Sequence, residues 1–325
     1  MLMSFFITPI FMITLGLARD LALISIAMFV VGFFTDLYRP AVGAAIADLV
    51  PSESRTRAYG YNYWAINLGS AVAPILTGLM AGYNYLILFV ADALTTAIFG
   101  FIVLFGIHET RPAEAHHTAP VPLRERFSQL KHAPILLISS FLTLFFGMIY
   151  TQGYVGLPLD MQSHGLGPQP YGVAIAVNRF LIILVTILFS NLVAKWPRFE
   201  TVAASAILLG FGFGFTALAS NLPWFALSVA IWTLGEIAAT TVAPTIIADL
   251  SPIDLRGLYQ GIYGAAWGFA YFIGPLVGGW VYENLGSTAL WISCLIVGVV
   301  LAFCYYALSA PAKRHMADSN PTSID

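Results

Sequence analysis

The sequence predicts an all-α membrane protein, a polytopic bundle of transmembrane helices arranged in two pseudo-symmetric halves. Three observations support this fold class: a shortage of charge, apolar runs of membrane-spanning length, and an internal repeat. Of the 325 residues, 59% are hydrophobic and 9% are charged, and the mean hydropathy is +0.83. A soluble domain carries about 25% charged residues, so this chain needs lipid as its solvent.

Ten apolar runs recur along the chain, and all but the first are close to or above the ~20 residues that a helix needs to cross the bilayer core. The first run is the shortest. It has no basic segment before it and no clear small-residue cleavage site, so we do not interpret it as a cleaved signal peptide. The ten predicted spans are 2–17, 21–49, 57–81, 85–107, 133–158, 171–193, 199–219, 223–250, 257–282 and 287–309.

Lysine and arginine are distributed unevenly between the two ends of these spans. If the spans alternate in direction, eleven of the 14 basic residues fall on one side and Arg19 falls on the other, while Arg39 and Arg179 fall inside spans. The positive-inside rule makes the side with eleven basic residues cytoplasmic. We therefore expect a multi-pass protein of the plasma or inner membrane.

One long polar segment divides the chain. Residues 1–108 form an N-terminal membrane half with four spans, and residues 133–309 form a C-terminal half with six. The segment 109–132 between them is predicted to be a cytoplasmic linker. The tail 310–325 is rich in Ser, Asn, Asp and Pro, and we expect it to be cytoplasmic and disordered.

The two halves share a repeated stretch. IADLVPSESR begins at Ile46 and IADLSPIDLR begins at Ile247, 201 positions later. Continued without gaps to residues 81 and 282, the alignment contains ten identities, among them Asp, Pro, Arg and Gly. Chance rarely matches those four residue types in one register. The chain is therefore built from two halves related by duplication.

The repeated stretch places an acid near a helix end. Asp48 and Asp249 lie near the C-terminus of their spans, where the helix dipole disfavours a negative charge, so each needs a partner. The repeated Arg55 and Arg256, or a neighbouring loop, could supply that partner. We favour an inner-loop latch that involves these four residues, and a simple tight turn is the alternative.

The same offset reveals an imbalance, because four spans precede the linker and six follow it. At this offset, the counterparts of the two spans in 133–193 would lie before Met1. If the halves were once equal, about 70 residues and two helices are missing ahead of this start.

Two small-residue motifs lie in the spans. In the second span, Arg39-Pro-Ala-Val-Gly43 places a glycine four positions after an arginine. Small residues at fixed spacing let helices touch, and proline bends a helix. The third and ninth spans carry such a pattern at the repeat offset, as Gly60-x8-Gly69-x3-Ala73-Pro74-x2-Thr77-Gly78 and Gly261-x8-Ala270-x3-Gly274-Pro275-x2-Gly278-Gly279.

With these motifs the chain resembles the major facilitator superfamily, and in particular its drug/proton antiporters, whose pattern is G-x8-G-x3-G-P-x2-G-G. The chain departs from that pattern at Ala73, Thr77 and Ala270. The resemblance implies twelve helices, of which this chain has ten, beginning at the third. It also implies a secondary transporter that exports small amphipathic or drug-like compounds in exchange for protons, by alternating access. A sugar or metabolite permease of the same superfamily, and a transport-inactive fragment or membrane scaffold, are the alternatives.

Four ionisable residues lie near mid-span, where charges are costly and are functional candidates: Asp36, Arg39, Arg179 and Glu236. The functional hypothesis is that Glu236 or Asp36 binds the coupling proton and that the arginines adjust its affinity for the proton. The alternative is a pair of static ion pairs, Asp36–Arg39 and Glu236–Arg179, which the sequence supports equally well.

Aromatic residues in the spans are candidates for the surface of a central cavity, where they could attract a lipophilic cation: Tyr150, Tyr154, Trp232, Trp267 and Tyr271. Packing against lipid is the alternative. We expect no metal, cofactor or nucleic acid, and no enzyme, because the sequence offers no nucleophile–base set and no phosphate-binding glycine loop. The expected partners are the bilayer, a small molecule and protons, and the expected state is a monomer.

Overall fold

The structure is a computed structural model that describes residues 1–81, 85–106, 130 and 133–318. Regular structure within these ranges is helical, which confirms the all-α class. We call residues 1–106 the N-terminal half and residues 133–318 the C-terminal half. The predicted linker, residues 109–132, lies outside the described residues except at position 130.

The helices follow the predicted spans. In the N-terminal half they are α1 Leu2–Leu17, α2 Leu21–Leu37, α3 Arg39–Leu49, α4 Ser52–Ala81 and α5 Tyr85–Gly106. In the C-terminal half they are α6 Pro134–Tyr150, α7 Gly156–Ser163, α8 Pro168–Val193, α9 Arg198–Phe215, α10 Leu222–Leu250, α11 Arg256–Leu285 and α12 Ser287–Asp318. Short 3-10 turns occupy Thr151–Gly153, Thr216–Leu218 and Ile253–Leu255.

Within the described residues, 7 helical segments are long and apolar enough to cross a membrane: Leu21–Leu49, Leu86–Gly106, Pro134–Ser163, Pro168–Val193, Arg198–Leu218, Leu222–Leu250 and Ser287–Arg314. The shorter α1 is also apolar. The repeat-related helices α4 and α11 are each 30 residues long and less apolar on average. The chain is therefore a multi-pass membrane protein.

Two of the spans are broken near their middle. The span 21–49 divides at Tyr38, because Pro40 lacks an N–H and fits the first turn of a new helix. The span that begins at Pro134 changes to a 3-10 turn at Thr151–Gly153 before α7 begins. Irregular backbone at membrane depth is tolerated where it is buried in protein or lines a cavity, so both breaks point to the centre of the molecule.

The C-terminal half has a densely packed core. Helices α9 and α12 approach each other through Gly210 and Gly298, where an added Cβ at Gly210 would lie 2.8 Å from the Cα of Gly298. Beside this contact, Phe213 stacks on Trp232 at 5.1 Å and on Trp291 at 6.1 Å between ring centroids. This stack anchors α10 against α9 and α12.

Each copy of the repeat packs against the opposite half. Helix α4 contacts α8 and α10, and its counterpart α11 contacts α3 and α10. Tyr59 and Gln260 occupy equivalent positions of the repeat, and the Gln260 amide donates to the Tyr59 hydroxyl at 3.3 Å. Equivalent residues can meet only near the axis that relates the two halves. The pseudo-two-fold axis therefore passes between α4 and α11.

The C-terminal tail differs from the expectation of disorder, since α12 continues through Asp318. Two contacts explain the extension. Ala312 is fully buried, and the Lys313 ammonium lies 2.6 Å from Oε1 of Glu200 at the start of α9. Residues 319–325 lie outside the described part of the chain.

Candidate functional site

A cavity of about 280 Å³ lies between the two halves, at the pseudo-two-fold axis. It is bounded by α3 and α4 on one side and by α6, α10 and α11 on the other. Its polar and aromatic lining comprises Tyr38, Arg39, Tyr59, Asn62, Tyr63, Tyr150, Glu236, Thr240, Gln260, Tyr263, Trp267 and Tyr271. Most of this lining is aromatic, and Glu236 is its sole carboxylate among the described residues.

Glu236 is held by hydrogen-bond donors from both halves. Its side chain is 2% exposed, and its Oε1 accepts from the Tyr63 hydroxyl at 2.5 Å while Oε2 accepts from the Asn178 amide at 2.7 Å. Tyr150 lines the same cavity as this carboxylate. Buried carboxylates need hydrogen-bond donors such as Tyr63 and Asn178. The bond from Tyr63 links α4 of one half to α10 of the other.

Arg179 lies near Glu236 but is oriented towards other groups. Its Nη1 donates to Oδ1 of Asn67 at 2.6 Å, and its Nη2 donates to the Tyr154 hydroxyl at 3.3 Å. The alternative of a direct Glu236–Arg179 ion pair is therefore not what the structure contains. One reason is that the adjacent Asn178, one position along α8, occupies the side of the carboxylate that faces α8.

Asp36 and Arg39 form the other candidate pair. Nε of Arg39 lies 2.6 Å from Oδ1 of Asp36, across the break between α2 and α3. The Asp36 side chain is 68% exposed and that of Arg39 is 60% exposed, whereas Glu236 is buried. Arg39 reaches the cavity lining, and Asp36 stays outside it. Of the two proposed proton-binding acids, Glu236 is the one placed between the halves.

The structure separates the five aromatic candidates into different surroundings. Tyr150, Trp267 and Tyr271 line the cavity, with Tyr150 edge-on to Trp267 at 5.9 Å between ring centroids. Tyr154 lies beside the cavity and shares a 3.0 Å hydrogen bond with Tyr150. Trp232 does not reach the cavity, because it lies one turn before Glu236 and is 1% exposed in the α9–α10 contact. Trp232 is therefore a core residue.

The four residues of the predicted inner-loop latch pair crosswise between the repeats. Arg55 Nη1 lies 2.7 Å from Oδ1 of Asp249, and Arg256 pairs with Asp48. Arg198 from α9 also pairs with Asp249. Each aspartate, placed unfavourably at a helix C-terminus, thus receives its cation from the opposite half or a neighbouring helix.

Arg55 also binds its own half. Its Nε donates to the Val50 carbonyl at 3.1 Å, and its Nη2 donates to the Ala47 carbonyl at 2.7 Å. These carbonyls belong to the C-terminal end of α3, where the last carbonyl groups of a helix lack intrahelical partners. Arg55 therefore completes α3 and joins it to α10 through Asp249.

The motif glycines fall into two groups. A Cβ added at Gly60 would lie 2.6 Å from the Ser190 Cβ, and additions at Gly274 and Gly278 would overlap side chains of the 3-10 turn that follows α6. At Gly69, Gly261 and Gly279, no described atom lies within 4 Å of an added Cβ. Close helix approach thus accounts for three motif glycines. The side-chain surroundings of Pro74 and Gly78 lie outside the described part of the chain.

One departure from the motif faces a glycine on the neighbouring helix. Ala270 stands at a glycine position of the second copy, and it is fully buried against Gly147 of α6. A Cβ at Gly147 would lie 2.6 Å from that of Ala270. The glycine on α6 therefore leaves room for the Ala270 methyl group. Pro275, in the same copy, lies within α11.

Sequence reasoning missed the hydrogen-bond partners of Glu236 and Arg179. Tyr63 and Asn67 lie four positions apart on α4, hence on one face, and Asn178 directly precedes Arg179. Polar side chains at helical spacing inside an apolar span are an available signal, because a membrane interior forces them to find partners.

A second cavity, of about 760 Å³, lies wholly within the N-terminal half. Its lining includes Ser4, Thr8, Asn62 and Asp92 among mainly apolar side chains. Because no described residue of the C-terminal half contributes to its lining, this cavity is not shared between the halves. We therefore take the smaller, shared cavity as the candidate site.

A helical membrane bundle with two repeat-related halves, broken helices and a buried polar site between the halves has the architecture of a secondary transporter. Comparison with known proteins gives the same class. The profile of the Major Facilitator Superfamily matches residues 1–237 and 154–322. The chain belongs to this superfamily, and it is a membrane transporter rather than an enzyme.

Individual relatives support this membership. The uncharacterized MFS-type transporter YttB of Bacillus subtilis (strain 168) is 31% identical over 273 residues, which cover 82% of this chain and 68% of that protein. A Na(+), Li(+), K(+)/H(+) antiporter of Planococcus maritimus is 24% identical over 304 residues, covering 82% of this chain and 70% of that protein.

Solved structures show the same fold. The human organic anion transporter MFSD10 (TETRAN) superposes with a TM-score of 0.75 at 18% identity, covering 94% of this chain and 76% of that chain. The proton:xylose symporter XylE also gives 0.75, at 14% identity, with 94% and 79% coverage. At these identities the likeness concerns the fold alone.

Proposed function

We propose that this transporter exports small amphipathic compounds in exchange for protons, by alternating access of its two halves to the central cavity. Glu236 is the proton-binding group. Asp36, with Arg39, has a structural role at the α2–α3 break. The observation that carries the proposal is the 2.5 Å hydrogen bond from Tyr63 to Glu236, which joins the two halves at a buried acid.

Proton binding at Glu236 must change this contact. The ionised carboxylate accepts hydrogen bonds from Tyr63 and Asn178. A protonated carboxyl group carries a donor of its own, so the same donors cannot all stay in place around it. The change falls on the bond between α4 and α10, and a ligand drives a conformational change only through such a differential interaction.

The cavity lining supports an amphipathic substrate. Ligand pockets are mostly apolar and aromatic, with a few placed polar groups, and this cavity of about 280 Å³ follows that pattern. Its side-chain amides are Asn62 and Gln260, and Gln260 already donates to the Tyr59 hydroxyl and to the Pro244 carbonyl. The other polar groups of the described lining are mainly tyrosine hydroxyls on aromatic rings, which favours an amphipathic substrate over a sugar.

The crosswise ion pairs support a gating role. Under the positive-inside rule, the turns at 50–51 and 251–255 lie in the cytoplasm. The pairs Arg55–Asp249 and Arg256–Asp48 join the halves at that end. They therefore act as an inner-loop latch that must open before the cavity can reach the cytoplasm.

Transport by the purified chain in liposomes tests the proposal. With an acidic interior, proton efflux should drive ethidium into wild-type liposomes. Glu236→Gln should reduce this gradient-driven uptake to the level of protein-free liposomes, because the site can no longer release a proton. Asp36→Asn is the matched control and should retain uptake. Gradient-driven uptake by Glu236→Gln at the wild-type rate would refute the assignment of Glu236.

A second candidate is exchange of monovalent cations for protons. The relative from Planococcus maritimus, named as a Na(+), Li(+), K(+)/H(+) antiporter, favours it. The same liposomes distinguish the two candidates when Na⁺ replaces ethidium and internal pH is followed. Proton release driven by Na⁺, without ethidium uptake, would favour cation exchange. Movement of neither probe by the wild type would favour a transport-inactive scaffold.

A further inference from the structure

A chain of tyrosine hydroxyls leads away from Glu236. Tyr150 lines the central cavity together with Glu236, and its hydroxyl shares a 3.0 Å hydrogen bond with the Tyr154 hydroxyl. The Tyr154 hydroxyl in turn accepts from Nη2 of Arg179 at 3.3 Å. Exposure rises along the chain, from 2% at Glu236 to 5% at Tyr150 and 40% at Tyr154. The hydroxyls thus join a buried acid to an accessible surface.

The accessible end of this row of hydroxyl groups lies outside the substrate cavity. Tyr150 and Glu236 line the central cavity, whereas Tyr154 and Arg179 lie outside its lining. A charged group at membrane depth faces the bundle interior or a water-filled space. The partly exposed Arg179 and Tyr154 therefore mark a second, polar approach to Glu236.

We propose that Tyr154 and Tyr150 form a proton relay that serves Glu236 from outside the substrate cavity. The inference rests on the proposed role of Glu236 as the proton-binding group. It adds a separate route, so that the proton and the substrate approach the acid from different sides. Both tyrosines are positioning and transfer groups, and each is neutral before and after the transfer.

The proton transfer balances as follows. An incoming proton forms an O–H bond at Tyr154 as the original Tyr154 proton passes to the oxygen of Tyr150. The original Tyr150 proton passes to a carboxylate oxygen of Glu236. One O–H bond forms and one breaks on each tyrosine, and the net result is one proton moved from water to Glu236. Rotation of the two hydroxyls then resets the chain, and release runs through the same steps in reverse.

Arg179 sets the direction of the hydrogen bond between Tyr154 and Tyr150. A guanidinium group can donate hydrogen bonds but cannot accept them, so the Tyr154 oxygen must accept from Arg179. The single Tyr154 proton is then free to point to Tyr150.

Protonation kinetics test the relay without any substrate. The full-length protein in lipid nanodiscs is subjected to a rapid pH drop, and the carbonyl band of protonated Glu236 is followed by time-resolved infrared spectroscopy. Glu236→Gln identifies the band. Tyr154→Phe should slow its appearance about tenfold or more, the effect of adding about 1.4 kcal/mol to the barrier. Its titration midpoint should not move, because Tyr154 does not contact Glu236.

Two further variants sharpen the test. Tyr150→Phe should slow the band in the same way, although its midpoint can shift because Tyr150 lines the same cavity as the acid. Tyr271→Phe is the matched control, since its ring lies 6.4 Å from that of Tyr150 but its hydroxyl is not part of the relay. We expect the wild-type rate for Tyr271→Phe, and a solvent deuterium effect that Tyr154→Phe abolishes.

The outcomes separate this proposal from the transport proposal. Protonation of Glu236 at the wild-type rate in Tyr154→Phe would overturn the relay, even if ethidium uptake requires Glu236. A slowed band in Tyr154→Phe would support the relay even if the wild type moves no ethidium. Absence of any Glu236 band in the wild type would overturn the relay whatever the ethidium assay gives.

Discussion

The inner-loop latch predicts that replacing its two aspartates, Asp48 and Asp249, has unequal effects, although they occupy equivalent positions of the repeat. Asp249 pairs with Arg55 and Arg198 and also accepts from the Ser52 hydroxyl at 3.0 Å. Asp48 pairs with Arg256. Asp249→Asn should therefore open this end of the bundle more than Asp48→Asn does.

The size of the difference follows from the number of partners, because burial is similar at the two sites and the side chains of Arg256 and Asp48 are 15% and 11% exposed. The side chains of Arg55 and Asp249 are 11% and 7% exposed, so water screens the pair weakly. Breaking a buried ion pair costs about 3–5 kcal/mol. One hydrogen bond to a charged group contributes about 1.5–3 kcal/mol. Because asparagine keeps an acceptor oxygen, we take the lower limits, about 3 kcal/mol for Asp249→Asn and about 1.5 kcal/mol for Asp48→Asn.

These energies translate into populations of the open latch. At about 1.4 kcal/mol for each factor of ten, Asp249→Asn should raise the open fraction about 100-fold and Asp48→Asn about 10-fold. A cysteine at position 56 reports the open fraction. Thr56 is 3% exposed, and its hydroxyl oxygen lies 3.3 Å from that of Thr245 in the other half. The assay is the rate at which a membrane-impermeant maleimide labels Thr56→Cys, in a background where Cys294 and Cys304 are alanine.

The control has the same charge change at a distant helix end. Asp20 caps α2 by accepting from the backbone N–H groups of Ala22 and Leu23, and asparagine caps a helix equally well. Asp20→Asn should leave labelling at the wild-type rate. Equal labelling of Asp249→Asn and Asp48→Asn would refute the reasoning, since it would mean that Arg198 and Ser52 add nothing to the latch.

Two stability predictions concern the C-terminal half, and thermal unfolding in detergent checks both. Gly278→Ala should destabilise the protein by about 1–3 kcal/mol, because its new methyl group overlaps Oε1 of Gln152. Gly279→Ala, the adjacent motif glycine with open surroundings, should be neutral or stabilising by up to about 1 kcal/mol; an equal loss in both would contradict the packing argument. Trp291→Phe removes the 2.8 Å hydrogen bond from the indole to Oδ2 of the buried Asp160 and should cost about 1.5–3 kcal/mol. An unchanged unfolding temperature for Trp291→Phe would show that Asp160 does not depend on that donor.

The fold was largely predictable because the membrane imposes a strong local rule. An apolar run of sufficient length becomes a helix, whatever its neighbours, since every backbone group must be satisfied within the segment. The helix breaks were less predictable. Pro40 gives a local reason for the break at Tyr38, but the 3-10 turn at Thr151–Gly153 has no proline within it. That second break depends on packing against α11, which sequence spacing alone does not contain.

The sequence predicted which charged residues lie at the site, but not the residues to which they are hydrogen-bonded. Charge inside a span identified Glu236 and Arg179, but not their hydrogen-bond partners. Glu236 accepts from Tyr63 and Asn178, and Arg179 donates to Asn67 and Tyr154. The contacts with Tyr63 and Asn67 join residues more than 100 positions apart. Likewise, the repeat identified the latch residues, but their crosswise pairing follows from how α4 and α11 each pack on the other half.

Two of the polar contacts between the halves are made by the same two helices. Helix α4 carries Arg55 and Tyr63, eight residues or about 12 Å apart along its axis. Helix α10 carries Asp249 and Glu236, their respective partners. Pro244 lies between Glu236 and Asp249 in α10, whereas no proline lies between Arg55 and Tyr63 in α4. A displacement that weakens the Tyr63–Glu236 bond is therefore transmitted to the Arg55–Asp249 pair through α4, and a proton at Glu236 can act on a latch that it does not touch.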